Sequence, residues 1–141
     1  MPELMAQPSL AERVAAVPTW YHCIRLAPGM VTPGEFDTLD ELERIPFPAS
    51  LSGKRCLDIG TADGFWAFEM ERRGASEVVA IDLRDPARFD WPGNVDLAQR
   101  AGWDNGGGLW RGFDVVHEAL GSRVQWRELA VYELAPATIG M

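Results

Sequence analysis

A glycine-rich turn between an apolar segment and a helix-like segment constrains this sequence more than any other feature. Residues 55–59 form a short apolar run with an acid, Asp58, near its end, and Gly60 and Gly64 follow. Small residues let the backbone pass close to a ligand, and the free N–H groups at the start of the next helix face that ligand. The pattern predicts a strand, a ligand-binding turn and a helix in succession.

The residues after this turn predict a βαβ unit. Apolar side chains recur at helical spacing over residues 65–73, and Gly74 follows as a helix stop. Residues 77–83 are rich in β-branched side chains, which is typical of a buried parallel strand. Asp82 lies in this strand roughly 20 residues after the turn, where an acid can accept hydrogen bonds from both ribose hydroxyls. Asp58 and Asp82 are therefore expected to flank one pocket.

The rest of the chain gives a coarser outline. Residues 1–50 are interpreted as an N-terminal extension or lid, and residues 51–141 as a partial α/β domain that binds the ligand. The further elements predicted are a helix over 9–17 with Ser9 as its N-cap, a strand-like segment at 20–26, a helix from Asp37 or Thr38 to about 44, an irregular stretch at 84–110, a helix at 112–120 and a third strand at 123–131.

Composition and charge narrow the classes of function. The 13 basic and 21 acidic residues give a net charge of −8 without a basic patch, which favours a small acceptor molecule over a nucleic acid. No apolar run approaches the roughly 18 residues that a membrane helix needs, and no signal peptide is evident, so we expect a cytoplasmic protein without a membrane partner. Cys23 and Cys56 are far apart, which argues against a metal site or a disulfide framework.

Two cofactor classes use a turn of this kind, and the spacing of small residues separates them. A nicotinamide dinucleotide site follows Gly-x-Gly-x-x-Gly, and the three positions are here Gly60, Ala62 and Phe65. The bulky Phe65 speaks against that class, because the third position needs close packing. The pattern acid-x-Gly-x-Gly-x-Gly instead fits Asp58, Gly60, Ala62 and Gly64, with one small residue replacing another.

The sequence resembles class I S-adenosylmethionine-dependent methyltransferases, which carry that second pattern, and in particular the tRNA wobble-uridine 5-oxyacetate type. The resemblance covers about residues 18–136, nearly all of the chain. It rests on Trp20-Tyr21-His22, Thr32-Pro33-Gly34, Gly53-Lys54-Arg55, the stretch from Leu57 to Trp66, the stretch from Val79 to Leu83, Gly112-Phe113, the stretch from His117 to Gly121, and Val131-Tyr132-Glu133-Leu134.

The resemblance implies S-adenosylmethionine as the cofactor and assigns its contacts. An acid is common in relatives near residue 130, and its absence here leaves adenine recognition to backbone groups. Thr61 and Asp63 could each cap the following helix or bind the cofactor, and Trp20 and His22 lie in a segment that resembles a lid. The cofactor residues expected are Asp58, Gly60, Thr61 and Gly64 around the methionine side, Asp82 and Leu83 at the ribose and adenine, Ala130 and Val131 at the adenine edge, and Asp63 at the turn.

The resemblance also implies a Rossmann-like sheet of seven strands in the order 3-2-1-4-5-7-6. The chain would supply strands 1–3 only, so we expect a truncated fold in which strand 1 is an open edge. A partner chain could complete such a sheet. Because one wall of the cofactor crevice would then be missing, we expect weak or no cofactor binding by this chain alone.

The leading hypothesis is a methyltransferase whose acceptor is a small molecule or, less favoured by the charge, a tRNA wobble uridine. The alternatives are a non-catalytic fragment that binds a partner through its open edge, and an NAD-type oxidoreductase. The sequence identifies no catalytic residue; His22 is a weak candidate base, and His117 is expected to be structural. Trp91, Trp103 and Trp110 could face a substrate or simply anchor the long loop.

Overall fold

The computed structural model describes residues 6–93 and 108–140. Within them the chain alternates helices and strands, and three strands form a parallel sheet. Two 3₁₀ turns, Pro86–Arg88 and Val131–Glu133, accompany these elements. The helices are α1 (Leu10–Ala16), α2 (Thr38–Arg44), α3 (Phe65–Arg72), α4 (Gly108–Leu120) and α5 (Pro136–Ile139), and the strands are β1 (Arg25–Ala27), β2 (Met30–Val31), β3 (Arg55–Ile59), β4 (Glu77–Asp82) and β5 (Gln125–Glu128).

The parallel sheet has the order β3-β4-β5. Asp58 lies opposite Ala80, and Ile81 lies opposite Arg127, so the carboxyl ends of all three strands meet at one edge. Parallel neighbours need crossover connections, which α3 and α4 supply between successive strands. The result is a mixed α/β fold that is compatible with part of a Rossmann-like domain.

The N-terminal helices begin where the sequence predicts. The Ser9 hydroxyl accepts a hydrogen bond from Glu12 N at 3.3 Å, and the Glu12 carboxylate accepts one from Ser9 N at 2.7 Å. This reciprocal pair is a capping box at the start of α1. The Asp37 carboxylate caps α2 by accepting from Asp40 N at 3.2 Å. Both predicted N-caps are therefore confirmed, with Asp37 rather than Thr38 in the second.

Three predicted boundaries are wrong. The strand-like segment at 20–26 forms a strand only over Arg25–Ala27, where it pairs with β2 around the turn at Gly29. The third strand, predicted over residues 123–131, spans only Gln125–Glu128, and Val131–Glu133 forms a 3₁₀ turn instead. The irregular stretch ends earlier than expected, because α4 already begins at Gly108.

Gly112 is a tightly packed glycine inside α4. A glycine inside a helix lowers the stability of that helix, so its presence there calls for a packing reason. In the fold Gly112 lies within α4, and a Cβ at this position would come within 2.8 Å of the Trp20 ring. The glycine therefore allows the indole to pack directly against the α4 backbone, and packing decides the residue rather than helix propensity.

The hydrophobic core lies between one face of the sheet and the layer formed by α3, α4 and the segment around Trp20. Burying each large side chain contributes roughly 1.5–3 kcal/mol. The Phe68 and Phe113 rings, from α3 and α4, lie 4.9 Å apart between centroids. The buried core residues include Trp20, Ile24, Leu26, Phe65, Phe68, Val78, Ala80, Phe113, Val116 and Val124.

The second face of the sheet meets the C-terminal segment. Val79 and Ile81 project from β4 on this face and are fully buried. Arg55 donates a hydrogen bond to Gly140 O at 2.6 Å, and Arg127 donates one to Thr138 O at 3.0 Å. Two arginines on the outer strands thus hold residues 138–140. In the described part of the chain, no helix has the length and apolarity to cross a membrane.

A substitution at Gly64 tests how tightly α3 and α4 pack. Its φ is +94°, and a Cβ would lie 2.4 Å from the Phe68 ring and 2.6 Å from the Phe113 ring. Gly64→Ala adds a left-handed backbone cost of about 1–2 kcal/mol to an overpacking cost of about 1–3 kcal/mol. We expect it to lower the free energy of unfolding by about 2–5 kcal/mol, measured by urea denaturation.

Gly53→Ala is the matched control for this substitution. Gly53 has a φ of +71°, but a Cβ there would meet no atom within 4 Å. The Gly53→Ala variant should therefore lose only about 1–2 kcal/mol of unfolding free energy, from the left-handed backbone conformation alone. Equal losses in the two variants would contradict the tight packing around Gly64.

Candidate functional site

The glycine-rich turn is fastened to the end of β4. Gly60 N and Thr61 N both donate to the Ile81 carbonyl, at 2.9 and 3.1 Å. Ala62 N donates to Asp82 Oδ2 at 2.7 Å, and Leu83 N donates to Asp82 Oδ1 at 2.8 Å. The Asp82 carboxylate therefore fixes the turn in addition to any contact it makes with a ligand.

Left-handed backbone conformations explain the small residues of the turn. Gly60 and Gly64 have φ angles of +73° and +94°, and Ala62 between them has +53°. An L-residue pays roughly 1–2 kcal/mol for this conformation, and alanine is the smallest residue with a Cβ. The one departure from the acid-x-Gly-x-Gly-x-Gly pattern is thus tolerated at a cost in strain.

A cavity of about 220 Å³ opens at the carboxyl edge of the sheet. It brings together five of the nine residues predicted to bind the cofactor. Those five are Gly60, Asp82, Leu83, Ala130 and Val131. The other lining residues are Ile59, Ile81, Arg88, Phe89, Asp90, Leu129 and Tyr132.

The Asp58 side chain is buried with an unused acceptor. It is 8% exposed, and its Oδ2 has no hydrogen-bond partner among the described residues. Burial raises the pKa of Asp58, because a buried carboxylate loses its hydration, although Thr61 and His22 nearby oppose that rise. Thr61 Oγ1 is likewise buried without a partner in the described chain. Two unpaired polar atoms next to the turn are the feature expected of a site that a polar ligand completes.

Burial also raises the pKa of Asp82. The N–H groups of Ala62 and Leu83 oppose this rise, because they stabilise the charged carboxylate. Each carboxylate oxygen can accept more than one hydrogen bond, so both retain acceptor capacity for hydroxyls in the cavity. The position and chemistry of Asp82 therefore fit the ribose contact expected from the sequence.

Asp63 faces away from the cavity and holds the N-terminal segment. It is fully buried, and its Oδ2 accepts hydrogen bonds from Tyr21 N at 2.7 Å and His22 N at 3.0 Å. Its Oδ1 pairs with His22 Nδ1. The capping role weighed for Asp63 is wrong, because α3 has Gly64 as its N-cap and no side-chain cap. A pairing of residues this far apart in sequence carries no local signal that could have revealed it.

Gly64 and the lid candidates serve packing in this structure. Gly64 lies between Phe68 and Phe113 and does not line the cavity. Trp20 is buried in the core, and its Nε1 donates to Val14 O at 3.1 Å. His22 is buried beside Asp63 and also does not line the cavity.

The other aromatic candidates stabilise the loop and the helix around the cavity. Trp91 Nε1 donates to Pro86 O at 2.8 Å, so this indole anchors the loop after β4. Trp110 lies in α4, and the Arg84 guanidinium stacks 4.8 Å from both its ring and that of Trp126. Trp103 lies outside the described residues.

His117 and Tyr132 make contacts of different kinds. His117 Nε2 lies 3.0 Å from Val124 O and so links α4 to the start of β5. At the cavity, the Tyr132 hydroxyl donates to Asp90, and this hydrogen bond raises the pKa of Tyr132. The loop after β4 and the 3₁₀ turn after β5 therefore meet across the cavity, a contact that sequence reasoning missed.

Comparison with known proteins gives a partial match. No family model matches the chain. Two ubiquinone biosynthesis O-methyltransferases, from serogroup C and serogroup A strains of Neisseria meningitidis, are each 44% identical to it over 57 residues. The match covers 37% of this chain and 24% of each relative. The chain therefore aligns with about a quarter of the length of these relatives.

The buried Asp58 carboxylate predicts a pH-dependent stability. Because its pKa is raised on folding, the folded chain retains a proton that the unfolded chain releases above the usual aspartate pKa of about 3.9. Stability is therefore lost as the pH rises from there through the raised pKa of the folded state. Asp58→Asn removes the ionisation, so we expect a variant more stable than the wild type at pH 7, by an amount that shrinks toward pH 4.

Thermal unfolding followed by circular dichroism between pH 4 and pH 7 checks this expectation. Asp114→Asn, at an exposed position on α4, is the matched control and should leave the pH profile unchanged. A stability difference between wild type and Asp58→Asn that stays constant across this range would show that folding does not raise the pKa of Asp58.

Proposed function

We propose that this chain binds S-adenosylmethionine and acts within a class I methyltransferase. The observation that carries the proposal is the buried Asp58 carboxylate at the end of β3, whose Oδ2 has no hydrogen-bond partner among the described residues. It lies just before the glycine turn, and Asp82 lines the neighbouring cavity. A carboxylate in that position fits an amino group and the positive charge of a sulfonium. The partial match to two O-methyltransferases supports the same class.

The residues around the cavity take distinct roles in this proposal. Asp82 accepts hydrogen bonds from the ribose hydroxyls, while Leu83 and Val131 contact the adenine and the backbone near Ala130 meets its edge. Gly60 leaves room for the ligand, since a Cβ there would project into open space. Asp58 and Thr61 bind the methionine side. Asp63 supports the site indirectly, by fixing the N-terminal segment beside the turn.

The chemistry asks this chain for alignment rather than for proton transfer. When bound, the cofactor supplies an activated methyl group on its sulfonium. The residues around the cavity hold the donor in one orientation, and correct placement of donor and acceptor can supply a large part of the rate enhancement. No catalytic base is assigned.

The acceptor proposed is a small molecule with an oxygen nucleophile. The relatives are named for oxygen methylation, and the net charge of −8 disfavours a polyanionic acceptor. A tRNA wobble uridine is the other acceptor that the sequence resemblance suggests. With either acceptor, the proposed site of action is the cytoplasm.

An NAD-type site is disfavoured by charge as well as by spacing. A dinucleotide places its pyrophosphate at the start of the helix after the first strand. In this fold the Asp58 and Asp63 carboxylates are buried beside that helix start. The Phe65 side chain at the third glycine position is buried in the core, so the backbone cannot make the close approach of the dinucleotide pattern.

Saturation-transfer NMR with S-adenosylhomocysteine tests the proposal. We expect weak binding, with transfer to the adenine and ribose protons. Asp82→Asn should reduce the affinity at least about tenfold, because hydrogen bonds to a charged acceptor contribute about 1.5–3 kcal/mol. Asp114→Asn is the control and should bind as the wild type does. An Asp82→Asn variant that binds as the wild type does would refute the assigned site. A folded wild-type chain without saturation transfer would show that this chain alone does not bind the cofactor.

Partner binding through β3 is a second candidate function. Among the described residues β3 pairs only with β4, and its Ile59 side chain is 50% exposed at the sheet edge. Such an edge can accept a strand from another chain. With a second copy as the partner, light scattering should show a mass rising above 15.6 kDa with concentration.

Two lysine variants make the mass measurement specific to this edge. Ile59→Lys places a charge on β3 and should restore the monomer. Val31→Lys changes a similarly exposed residue on β2 and should not. A monomeric mass at all concentrations would refute the hypothesis that copies of this chain pair through β3.

A further inference from the structure

A second cavity lies on the opposite side of α3 from the sheet, between this helix and the N-terminal segment. Its volume is about 530 Å³, which falls in the range of about 300–1,000 Å³ typical of sites for small organic ligands. Its lining is mainly apolar. The apolar residues are Ile24, Leu39, Leu42, Phe65, Phe68 and Leu120.

This groove is separate from the cofactor cavity. The two share no lining residue, and the groove is built from β1, α2, α3 and the end of α4 rather than from strand ends. The core side chains Phe65 and Phe68 form its base. Leu120, which is partly exposed, lies at the groove where α4 ends. A ligand here would not compete with one at the carboxyl edge of the sheet.

The charges around the groove leave one cation unpaired. Glu69 accepts hydrogen bonds from Arg72 and Arg73, which outweigh the effect of burial and lower the pKa of Glu69. Glu71 accepts from the Ser122 hydroxyl at 2.6 Å and from Arg123 N at 2.8 Å. Both carboxylates that line the groove are therefore already hydrogen-bonded.

Arg25 is the exception among these charged side chains. It lines the groove from β1, and its guanidinium has no ion-pair or hydrogen-bond partner within residues 6–93 and 108–140. An arginine fork matches a carboxylate, which it can bind through two parallel hydrogen bonds. The groove therefore combines an apolar trough with one cation that can receive an anion.

We propose that this groove binds a free fatty acid, with the acyl chain along the apolar side chains and the carboxylate on Arg25. The apolar lining favours an alkyl chain, because each methylene group that leaves water for an apolar surface adds to the binding affinity. The unpaired Arg25 favours an anionic head over a neutral or cationic one. The proposal is independent of the cofactor site and of the reaction catalysed there.

Isothermal titration with dodecanoate, below its micelle concentration, tests the groove. Dodecanoate should bind, and dodecyltrimethylammonium, which has the same chain and the opposite charge, should bind at least about tenfold more weakly. Arg25→Gln should weaken dodecanoate binding by a similar factor. Arg44→Gln is the matched control, because this arginine lies on α2 but does not line the groove.

A groove-filling variant tests where the alkyl chain lies. Leu42 is half-buried on α2, so Leu42→Trp adds bulk to the trough without opening the core, and it should abolish dodecanoate binding. Circular dichroism confirms that each variant is folded. Should Leu42→Trp fail to fold, Leu120→Trp blocks the other end of the same groove with the same expectation.

Three results would overturn the proposal. They are no dodecanoate binding by the folded wild type, equal binding of the anionic and cationic amphiphiles, and an Arg25→Gln variant that binds dodecanoate as tightly as Arg44→Gln does. The second result would mean that the alkyl chain of either amphiphile only partitions onto an apolar surface and that the protein does not recognise the head group.

Discussion

The hydrogen bonds between the buried Asp63 carboxylate and residues 21 and 22 connect the two halves of this structure. The carboxylate is fully removed from solvent, and backbone N–H groups and the His22 ring satisfy its oxygens. A buried charge is tolerated only when it is paired in this way, so the N-terminal segment and the glycine turn must adopt their positions together. The Trp20 packing against α4 and the groove beside α3 both depend on this fixed segment.

The carboxyl edge of the sheet combines strain with open acceptor positions. Asp58 and Thr61 leave polar atoms buried and unpaired, and Ala62 adopts a left-handed conformation. These features all lower the stability of the free chain, and a ligand that hydrogen-bonds to Asp58 would offset part of that cost. Such local conflicts with the rules of stable packing are expected at functional positions rather than in a plain scaffold.

Local patterns explain why the sequence predicts some of this structure and misses the rest. The bounds of β3 and the caps at Ser9 and Asp37 follow from neighbours in the chain, so they are predicted correctly. Five of the residues predicted to bind the cofactor line one cavity, and three of these five were predicted from the family resemblance rather than from local spacing. The role of Asp63 and the packing of Gly112 against Trp20 are missed, because the partners are distant in sequence and close only after folding.

The two arginine contacts to residues 138 and 140 determine how easily the C-terminal segment unfolds locally. These contacts are polar and exposed, and an exposed hydrogen bond contributes little net stability. Strand β4, in contrast, is buried on both faces. The C-terminal segment should therefore detach as a cooperative unit of low stability while the sheet stays intact, so that amide hydrogens near residue 140 exchange with solvent far sooner than those of β4.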